Sequence, residues 1–354
     1  MSREENKQNK SPDNLIKFSK ENLEENLKSS LKKKFGERFD NYRKVYNSNI
    51  KNKKFSKLQS YPTTVILELV NRCNLQCTMC YQGFRNNAEK FTLDENMLIK
   101  IFDDFKENQL SALMLSISEP LLFKKIDRVF ELAKHANIMD IFLFTNGVLL
   151  NKKNIEIILN SSVTRLFVSI DASSSEIYNK VRIPVSKNKK DIDRLKELEQ
   201  NIKNFMNERN RRNLKLPLVR TSFVALDKNF HERSKFIDKW IDIVDSVEVQ
   251  KETSITAYDD IKSGVINYNN KIKDYDCGEP WNQISIYSDG TVAPCCNTVG
   301  RNLPIGNIKN QTISEIWNGD KMTELRKSFL NNNPHDVCKA CINNSSSDLH
   351  LSEN

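Results

Sequence analysis

Residues 64–81 read TVILELVNRCNLQCTMCY, and this stretch decides both the fold and the chemistry. The first seven residues form an apolar run with the length of a buried strand, and a polar loop follows. In that loop Cys73, Cys77 and Cys80 form a C-x3-C-x2-C pattern. Three thiols within eight residues can converge on one metal centre. The segment therefore predicts a strand that leads directly into a metal-binding loop.

Working outward from this stretch, short apolar segments alternate with amphipathic ones. The predicted strands are 64–70, 112–117, 140–144, 164–170, 219–225 and 246–250. The predicted helices are about 93–108, 122–136, 152–160, 174–181, 190–209 and 230–242. Strands that alternate with helices favour a parallel sheet with right-handed crossovers. Six such units predict an α/β fold, a partial (β/α)6 parallel barrel.

Polar segments follow four of these strands. They are Asn71-Arg72-Cys73, Ser118-Glu119-Pro120, Thr145-Asn146-Gly147 and Ser169-Ile170-Asp171. Parallel α/β folds place their chemistry at the carboxyl ends of the strands, which share one rim. The four segments therefore predict a single site that includes the cysteine loop.

The number of protein ligands distinguishes between the possible metal centres. A structural zinc ion takes four protein ligands, usually in two pairs. A [4Fe–4S] cluster has four iron corners, so three thiolates leave one corner open, as a catalytic site requires. Ligand chemistry thus favours an iron–sulfur centre, with zinc and unligated thiols as the alternatives.

The segment LELVNRCNLQCTMCY resembles the signature of the radical S-adenosylmethionine (radical SAM) superfamily. The resemblance implies that the open iron chelates the amino and carboxylate groups of SAM. It also implies that reductive cleavage of SAM gives a 5′-deoxyadenosyl radical, which abstracts hydrogen from the substrate. The cofactors carry this chemistry, while the protein orients them and excludes water.

The resemblance also implies a set of cofactor-binding residues. These are Met79, Tyr81, Ser118, Glu119, Asn146, Ser169, Asp171 and Arg182. Ser118-Glu119-Pro120 is similar to the Gly-Gly-Glu-Pro segment that binds the SAM amino group, with serine in one glycine position. Ser169 and Asp171 match ribose-side positions, and Met79 or Tyr81 lies near the adenine.

Arg182 matches the arginine that meets the methionyl carboxylate, a charge-assisted pair. The alternative is a surface arginine, since the loop that follows is rich in lysine.

A second group of cysteines lies near the C-terminus. Cys277 and Cys295 form C-x17-C, and Cys338 and Cys341 form C-x2-C. Four thiolates can saturate a second [4Fe–4S] cluster or a zinc ion. Between them, residues 284–295 (ISIYSDGTVAPC) predict a hairpin with an Asp-Gly turn. The region resembles the SPASM/twitch auxiliary-cluster domains, and Cys296 is left as a buried thiol or an alternative ligand.

The net charge of +9 is concentrated in residues 1–60, which carry +8 and leave +1 for the rest. The near-neutral remainder disfavours a nucleic-acid partner. Leu23, Leu27 and Leu31 predict an amphipathic helix that packs on the main domain. The predicted units are an N-terminal helical extension (1–60), a radical SAM core (61–252), an auxiliary-cluster domain (253–345) and a polar tail (346–354).

The chain has no apolar run long enough for a membrane span and no secretory leader, so we expect a cytoplasmic location. Cytosolic thiols stay reduced, which favours metal ligation over disulfides. The cofactors expected are a SAM-binding [4Fe–4S] cluster, SAM and an auxiliary [4Fe–4S] cluster. The expected partners are a small polar substrate or a peptide, and an electron donor such as flavodoxin or ferredoxin.

The leading hypothesis is a radical SAM oxidoreductase that oxidises, dehydrates or epimerises a polar metabolite, with a sugar or cyclitol favoured. A peptide or protein maturase is the alternative, and residues 1–60 lack the strand alternation of a peptide-binding winged helix. A non-catalytic zinc or nucleic-acid-binding protein is the third hypothesis, but it leaves the rim segments unexplained. Candidates for the catalytic acid or base, by position only, are Lys251, Glu252 and Tyr258.

Overall fold

The structure is a computed structural model that describes residues 16–20, 22–52, 58–80, 89–185, 193–252, 275–295 and 301–345. Its strands are β1 (Ile16–Ser19), β2 (Thr64–Leu67), β3 (Leu75–Cys77), β4 (Ala112–Leu115), β5 (Asp140–Thr145), β6 (Arg165–Ser169), β7 (Arg182–Pro184), β8 (Leu218–Ala225), β9 (Ser246–Lys251), β10 (Gln283–Ile286), β11 (Thr291–Ala293) and β12 (Gly306–Asn307).

The helices are α1 (Leu23–Phe35), α2 (Glu37–Asn52), α3 (Glu95–Glu107), α4 (Ile126–His135), α5 (Lys152–Leu159), α6 (Ser175–Val181), α7 (Arg194–Arg211), α8 (Arg233–Trp240), α9 (Ile313–Asn318), α10 (Asp320–Leu330) and α11 (Asp336–Ser345). Among these described helices, none combines the length and the apolar character that a membrane span needs.

A parallel sheet forms the centre of the fold. Its strands pair in the order β2-β4-β5-β6-β8-β9, and every neighbouring pair is parallel. The six predicted core strands are therefore confirmed, as is the α/β class. Alternate residues of each strand, such as Leu113 and Leu115, are fully buried against the helices. Their neighbours face the concave side of the sheet, because side chains alternate along a strand.

The predicted C-terminal hairpin is confirmed, and it joins the same sheet. β10 and β11 pair antiparallel, and Gly290 has φ +90°, which the tight turn requires. β10 also pairs in parallel with β2, with Ile284 opposite Val65. The hydrophobic pattern predicts a hairpin but not its partner. The cysteine-rich C-terminal region is thus hydrogen-bonded to the strand that leads into the first cysteine loop.

The N-terminal helix packs on the main domain as predicted, but it is broken. Gly36 has φ +58° and ends α1, so the apolar stripe continues on a second helix, α2. Leu27 and Leu31 of α1 are buried together with Phe39 of α2. They pack against Ala112 of β4 and against Met139, which directly precedes β5. A feature absent from the sequence prediction is β1, which pairs antiparallel with β9.

These helices lie at the amino ends of the core strands. The Arg38 guanidinium donates hydrogen bonds to the carbonyl oxygens of Asn137 (2.8 Å) and Gln109 (3.1 Å), which precede β5 and β4. The cysteine loop follows the carboxyl end of β2, at the opposite end of the sheet. The N-terminal helices therefore stabilise the base of the sheet and leave the rim to the site.

We expect Leu27→Ala to lower the free energy of unfolding by about 3 kcal/mol, because it removes a fully buried side chain and leaves a cavity. Urea unfolding of the purified protein measures this loss. The matched control is Leu330→Ala, since Leu330 is half exposed and its loss costs little. Equal stability losses in the two variants would contradict the packing described for α1.

Candidate active site

The first cysteine loop is fixed by a small sheet of its own. β3 pairs antiparallel with β7, so that Cys77 lies opposite Arg182. The amide of Cys80 donates to the carbonyl oxygen of Cys77 (3.1 Å), which closes the turn. Cys77 is buried, while Cys73 and Cys80 are half-buried. The loop thus holds its three thiols on a rigid frame beside the end of β2.

Hydrogen-bond donors surround these sulfur atoms. The amide of Leu75 (3.4 Å) and the side-chain amide of Asn146 (3.5 Å) donate to Cys73 Sγ. Burial raises the pKa of Cys73 to about 12. Burial also raises the pKa of Cys77, although the Arg182 guanidinium beside it acts in the opposite direction. The Cys73 thiol is therefore protonated at neutral pH and must lose its proton when a metal binds.

This donor set fits an iron–sulfur cluster better than a single zinc ion. Donors aimed at sulfur stabilise thiolate ligands and tune a cluster. In the part of the chain that the structure describes, no three His, Cys, Asp or Glu side chains are close enough to hold one metal ion. In a cubane cluster each thiolate binds a different iron atom, so the thiols need not meet at one point.

Glu119 joins the turns that follow two core strands. Its fully buried carboxylate accepts hydrogen bonds from Thr145 Oγ1 (2.8 Å), the amide of Asn146 (2.8 Å) and the amide of Leu121 (3.2 Å). Burial raises its pKa to about 7, although these donors lower it. The predicted rim residue is thus present, with its carboxylate directed into the protein.

Asn146 connects the same turn to the cysteine loop. Its side-chain amide donates to Asn74 Oδ1 (2.7 Å) as well as to Cys73. The next residue, Gly147, has φ +73°, and a Cβ there would lie 2.3 Å from Leu198 Cδ1. The turn after β5 therefore requires glycine, and it supports the first cluster ligand.

Asp171 and Arg182, both predicted to contact the cofactor, contact each other. Arg182 Nε donates to Asp171 Oδ2 (2.7 Å), and the amide of Val224 donates to Asp171 Oδ1 (2.7 Å). Burial lowers the pKa of Arg182, but Asp171 and Cys77 outweigh burial, so the net shift is upward. The alternative of a surface arginine is wrong, because Arg182 is only 8% exposed.

One residue of this region was missed by sequence reasoning. Ile117 has φ +80°, a conformation that is rare for a β-branched residue. It precedes Ser118, whose hydroxyl donates to Glu68 Oε1 (3.2 Å). The sequence indicated this conformation only through the match of Ser118-Glu119-Pro120 to a Gly-Gly-Glu-Pro segment, because glycine adopts positive φ without strain.

Of the other predicted cofactor-binding residues, Ser169 and Met79 are half-buried.

The second thiol group is also partly assembled. Cys277, Cys338 and Cys341 lie within electrostatic reach of one another, and burial raises the pKa of Cys277 and of Cys338 to about 12. Cys295 follows β11, and its carbonyl oxygen accepts a hydrogen bond from Ser285 Oγ (2.8 Å). Four thiols from three separate segments suit an iron–sulfur cluster that the protein saturates.

The other predicted residues lie partly beyond the described residues. Tyr81, Tyr258 and Cys296 fall outside them, as does the side chain of Lys251 at the end of β9. Glu252 lies at the surface. The partial desolvation of its carboxyl and the negative charge of Asp227 both raise its pKa. A catalytic role for these groups stays a prediction.

Comparison with known families agrees with this geometry. The model of the radical SAM superfamily matches residues 67–207, and the model of an iron–sulfur cluster-binding domain, SPASM, matches residues 277–342. This chain thus contains a radical SAM domain and a SPASM domain. The two domains imply a SAM-binding [4Fe–4S] cluster, SAM and auxiliary iron–sulfur clusters, which agrees with the cofactors expected from the cysteine patterns together with the resemblance.

Curated relatives match parts of this radical SAM protein. A probable GTP 3′,8-cyclase of Methanocaldococcus jannaschii is 32% identical over 116 residues, which are 32% of this chain and 38% of the relative. An S-adenosyl-L-methionine-dependent 2-deoxy-scyllo-inosamine dehydrogenase of Niallia circulans is 37% identical over 69 residues, 19% of this chain and 28% of the relative. The chain spans well under half the length of these relatives.

Solved structures share the fold of this radical SAM protein. Native anSMEcpe with bound AdoMet covers 80% of this chain and 92% of its own, with a TM-score of 0.57 and 17% identity. Streptococcus suis SuiB bound to precursor peptide SuiA covers 83% and 72%, with a TM-score of 0.56 and 18% identity. These likenesses confirm the predicted radical SAM architecture.

Glu119 generates a pH prediction for the metal-free protein. Its folded pKa of about 7 exceeds the unfolded value of 4.5, so the folded state retains the proton between these values. Stability is therefore lost as the pH rises through this window. From about pH 5 to about pH 8, the unfolding free energy of the wild type should fall by about 3 kcal/mol more than that of Glu119→Gln.

Urea unfolding across this pH range measures the difference. Glu107→Gln, at the end of the solvent-exposed face of α3, is the control and should follow the wild type. Parallel pH profiles for the wild type and Glu119→Gln would contradict the buried, proton-retaining carboxyl.

Proposed function

We propose that this protein is a radical SAM oxidoreductase of the cytoplasm that cleaves SAM reductively and oxidises, dehydrates or epimerises a small polar metabolite, of sugar or cyclitol type. The observation that carries the proposal is the frame that holds Cys73, Cys77 and Cys80 beside Glu119 and the Asp171–Arg182 pair, at one rim of a parallel sheet.

The residues of the chain have distinct roles in this function. Cys73, Cys77 and Cys80 hold the first cluster, and Arg182 places a positive charge beside the Cys77 ligand. When bound there, the cluster would supply the one electron that reductive cleavage of SAM requires. Glu119 and Asn146 fix the strand-end turns against which SAM lies. An electron donor such as flavodoxin or ferredoxin supplies the reducing equivalent.

The side chains on the concave side of the sheet favour a substrate that is polar and carries no net charge. Leu166 and Val168 pack outward in the core, so Arg165, Phe167 and Ser169 of β6 face inward. The charges on this inner side are paired. Arg220 forms an ion pair with Glu248, and Arg165 is paired with Asp140 (3.4 Å) and Glu24 (3.2 Å).

Paired charges leave little net field for an ionic substrate. The next inward layer toward the rim carries hydroxyl groups, since Ser169 lies opposite Ser222 in the register of β6 and β8. Arg220 stacks on the Phe167 ring, 3.6 Å from its centroid. Hydroxyl groups above a stacked aromatic ring suit a polyhydroxylated ring, and this favours a sugar or cyclitol over a charged metabolite.

Cluster content and SAM cleavage test the first half of the proposal. Anaerobic reconstitution should give about eight irons per chain, and SAM with reductant should release 5′-deoxyadenosine. Cys77→Ala should abolish the release. The matched variant Cys338→Ala should lose about four irons but still cleave SAM. About one zinc per thiol group, with no charge-transfer absorption, would contradict the iron–sulfur function.

The substrate class needs a labelled probe. We expect deuterium from a ring-deuterated neutral cyclitol or sugar to appear in 5′-deoxyadenosine, because the radical abstracts the substrate hydrogen. Mass spectrometry of the nucleoside measures this transfer, and a protiated probe is the control. Transfer from a deuterated peptide, and from no cyclitol or sugar, would favour the maturase alternative.

A further inference from the structure

Glu68 is fully buried at the carboxyl end of β2, where the SAM core meets the C-terminal hairpin. One carboxylate oxygen accepts from Ser118 Oγ (3.2 Å). The other accepts from the amide (3.1 Å) and the hydroxyl (2.9 Å) of Ser288, and lies 3.6 Å from an Arg301 guanidinium nitrogen. We call Glu68, Ser118, Ser288 and Arg301 the seam, because two residues come from each side.

On the core side, the seam holds a strained turn. Ile117 has φ +80°, and a β-branched residue in this region costs about 1–3 kcal/mol. Such a conformation persists only where its surroundings over-determine it. The bond from Ser118 to Glu68 and the bond from the Glu119 amide to the Arg72 carbonyl oxygen (3.4 Å) supply this restraint.

On the C-terminal side, the seam is part of the hairpin that leads to Cys295. Arg301 is paired with Asp289 (2.8 Å) in the hairpin turn and lies over the Tyr287 ring, 4.3 Å from its centroid. Ser285, in the preceding strand, donates to the carbonyl oxygen of Cys295. Ser288 and Arg301, which contact Glu68, are therefore held by the auxiliary-cluster domain.

The burial of Glu68 makes this arrangement interdependent, because burial raises the pKa of its carboxyl whereas Ser288, Arg301 and Ser118 lower it. A buried carboxylate is stable only when it is paired and hydrogen-bonded, and removal of one partner leaves an uncompensated charge. Ser288 and Arg301 provide three of the four polar contacts of Glu68. If the hairpin moves away, Glu68 has to find new partners, and its hold on Ser118 is lost.

We propose that Glu68 is a positioning residue that couples the two domains, so that the turn at Ser118 adopts its SAM-binding conformation only when the C-terminal hairpin is docked. This inference rests on the proposed function, in which SAM lies against that turn. It gives the auxiliary-cluster domain a second role, because that domain completes the SAM site through Ser288 and Arg301.

The test is SAM affinity in variants of the C-terminal side of the seam. In the reconstituted full-length protein, Arg301→Gln and Ser288→Ala should each weaken SAM binding about tenfold at unchanged iron content. Equilibrium dialysis with labelled SAM measures the affinity. Arg128→Gln, which breaks an exposed ion pair on α4, is the control and should bind SAM as the wild type does.

Thermodynamic reciprocity supplies a second readout that a merely structural role would not change. Because coupling acts in both directions, SAM should slow hydrogen exchange in residues 283–293 of the wild type, and this protection should be lost in Glu68→Gln. If Arg301→Gln does not retain its clusters, the SAM affinity of Ser288→Ala decides the test. That variant keeps the amide of residue 288 as a hydrogen-bond donor to Glu68.

Wild-type affinity in both variants, or no SAM-dependent protection of the hairpin, would overturn the coupling. Failure of the wild type to bind SAM would instead overturn the proposed function, so the two failures are distinguishable.

Discussion

The parallel hydrogen bonds of β2 determine how the rest of the structure is arranged. On one side β2 pairs with β4, and on the other side it pairs with β10. The strand ends in the loop that carries Cys73, Cys77 and Cys80, while β10 leads into the turn that precedes Cys295. These backbone bonds therefore position the first cysteine loop relative to the hairpin that leads to Cys295, and the two domains form a continuous sheet.

Four buried charged residues lie where this sheet reaches its rim. Glu68, Glu119, Asp171 and Arg182 are almost fully buried, and each is satisfied by specific partners from a different strand end. Such groups are costly unless they are paired, and they cluster where a protein needs fixed geometry more than stability. The rim turns are consequently tied to one another before any cofactor binds.

Patterns that depend on local sequence were sufficient for much of the fold. The six core strands, the hairpin around Gly290 and the buried face of Leu27 and Leu31 follow from periodicity and turn chemistry. The pairing of β1 with β9 and of β10 with β2 could not be predicted, because strand partners are chosen by tertiary contacts. The inward carboxylate of Glu119 and the Asp171–Arg182 pair depend likewise on several strand ends meeting.

The pairing of β1 has a consequence for the order of folding. Ile16 lies opposite Val249, so the first described strand joins a partner made more than two hundred residues later. Contacts of such long sequence separation form late, since a large loop must close first. During synthesis, which proceeds from the N-terminus, the nascent segment has to wait with its apolar residues uncovered until β9 leaves the ribosome. β1 is therefore made long before its partner strand and is among the last strands to dock.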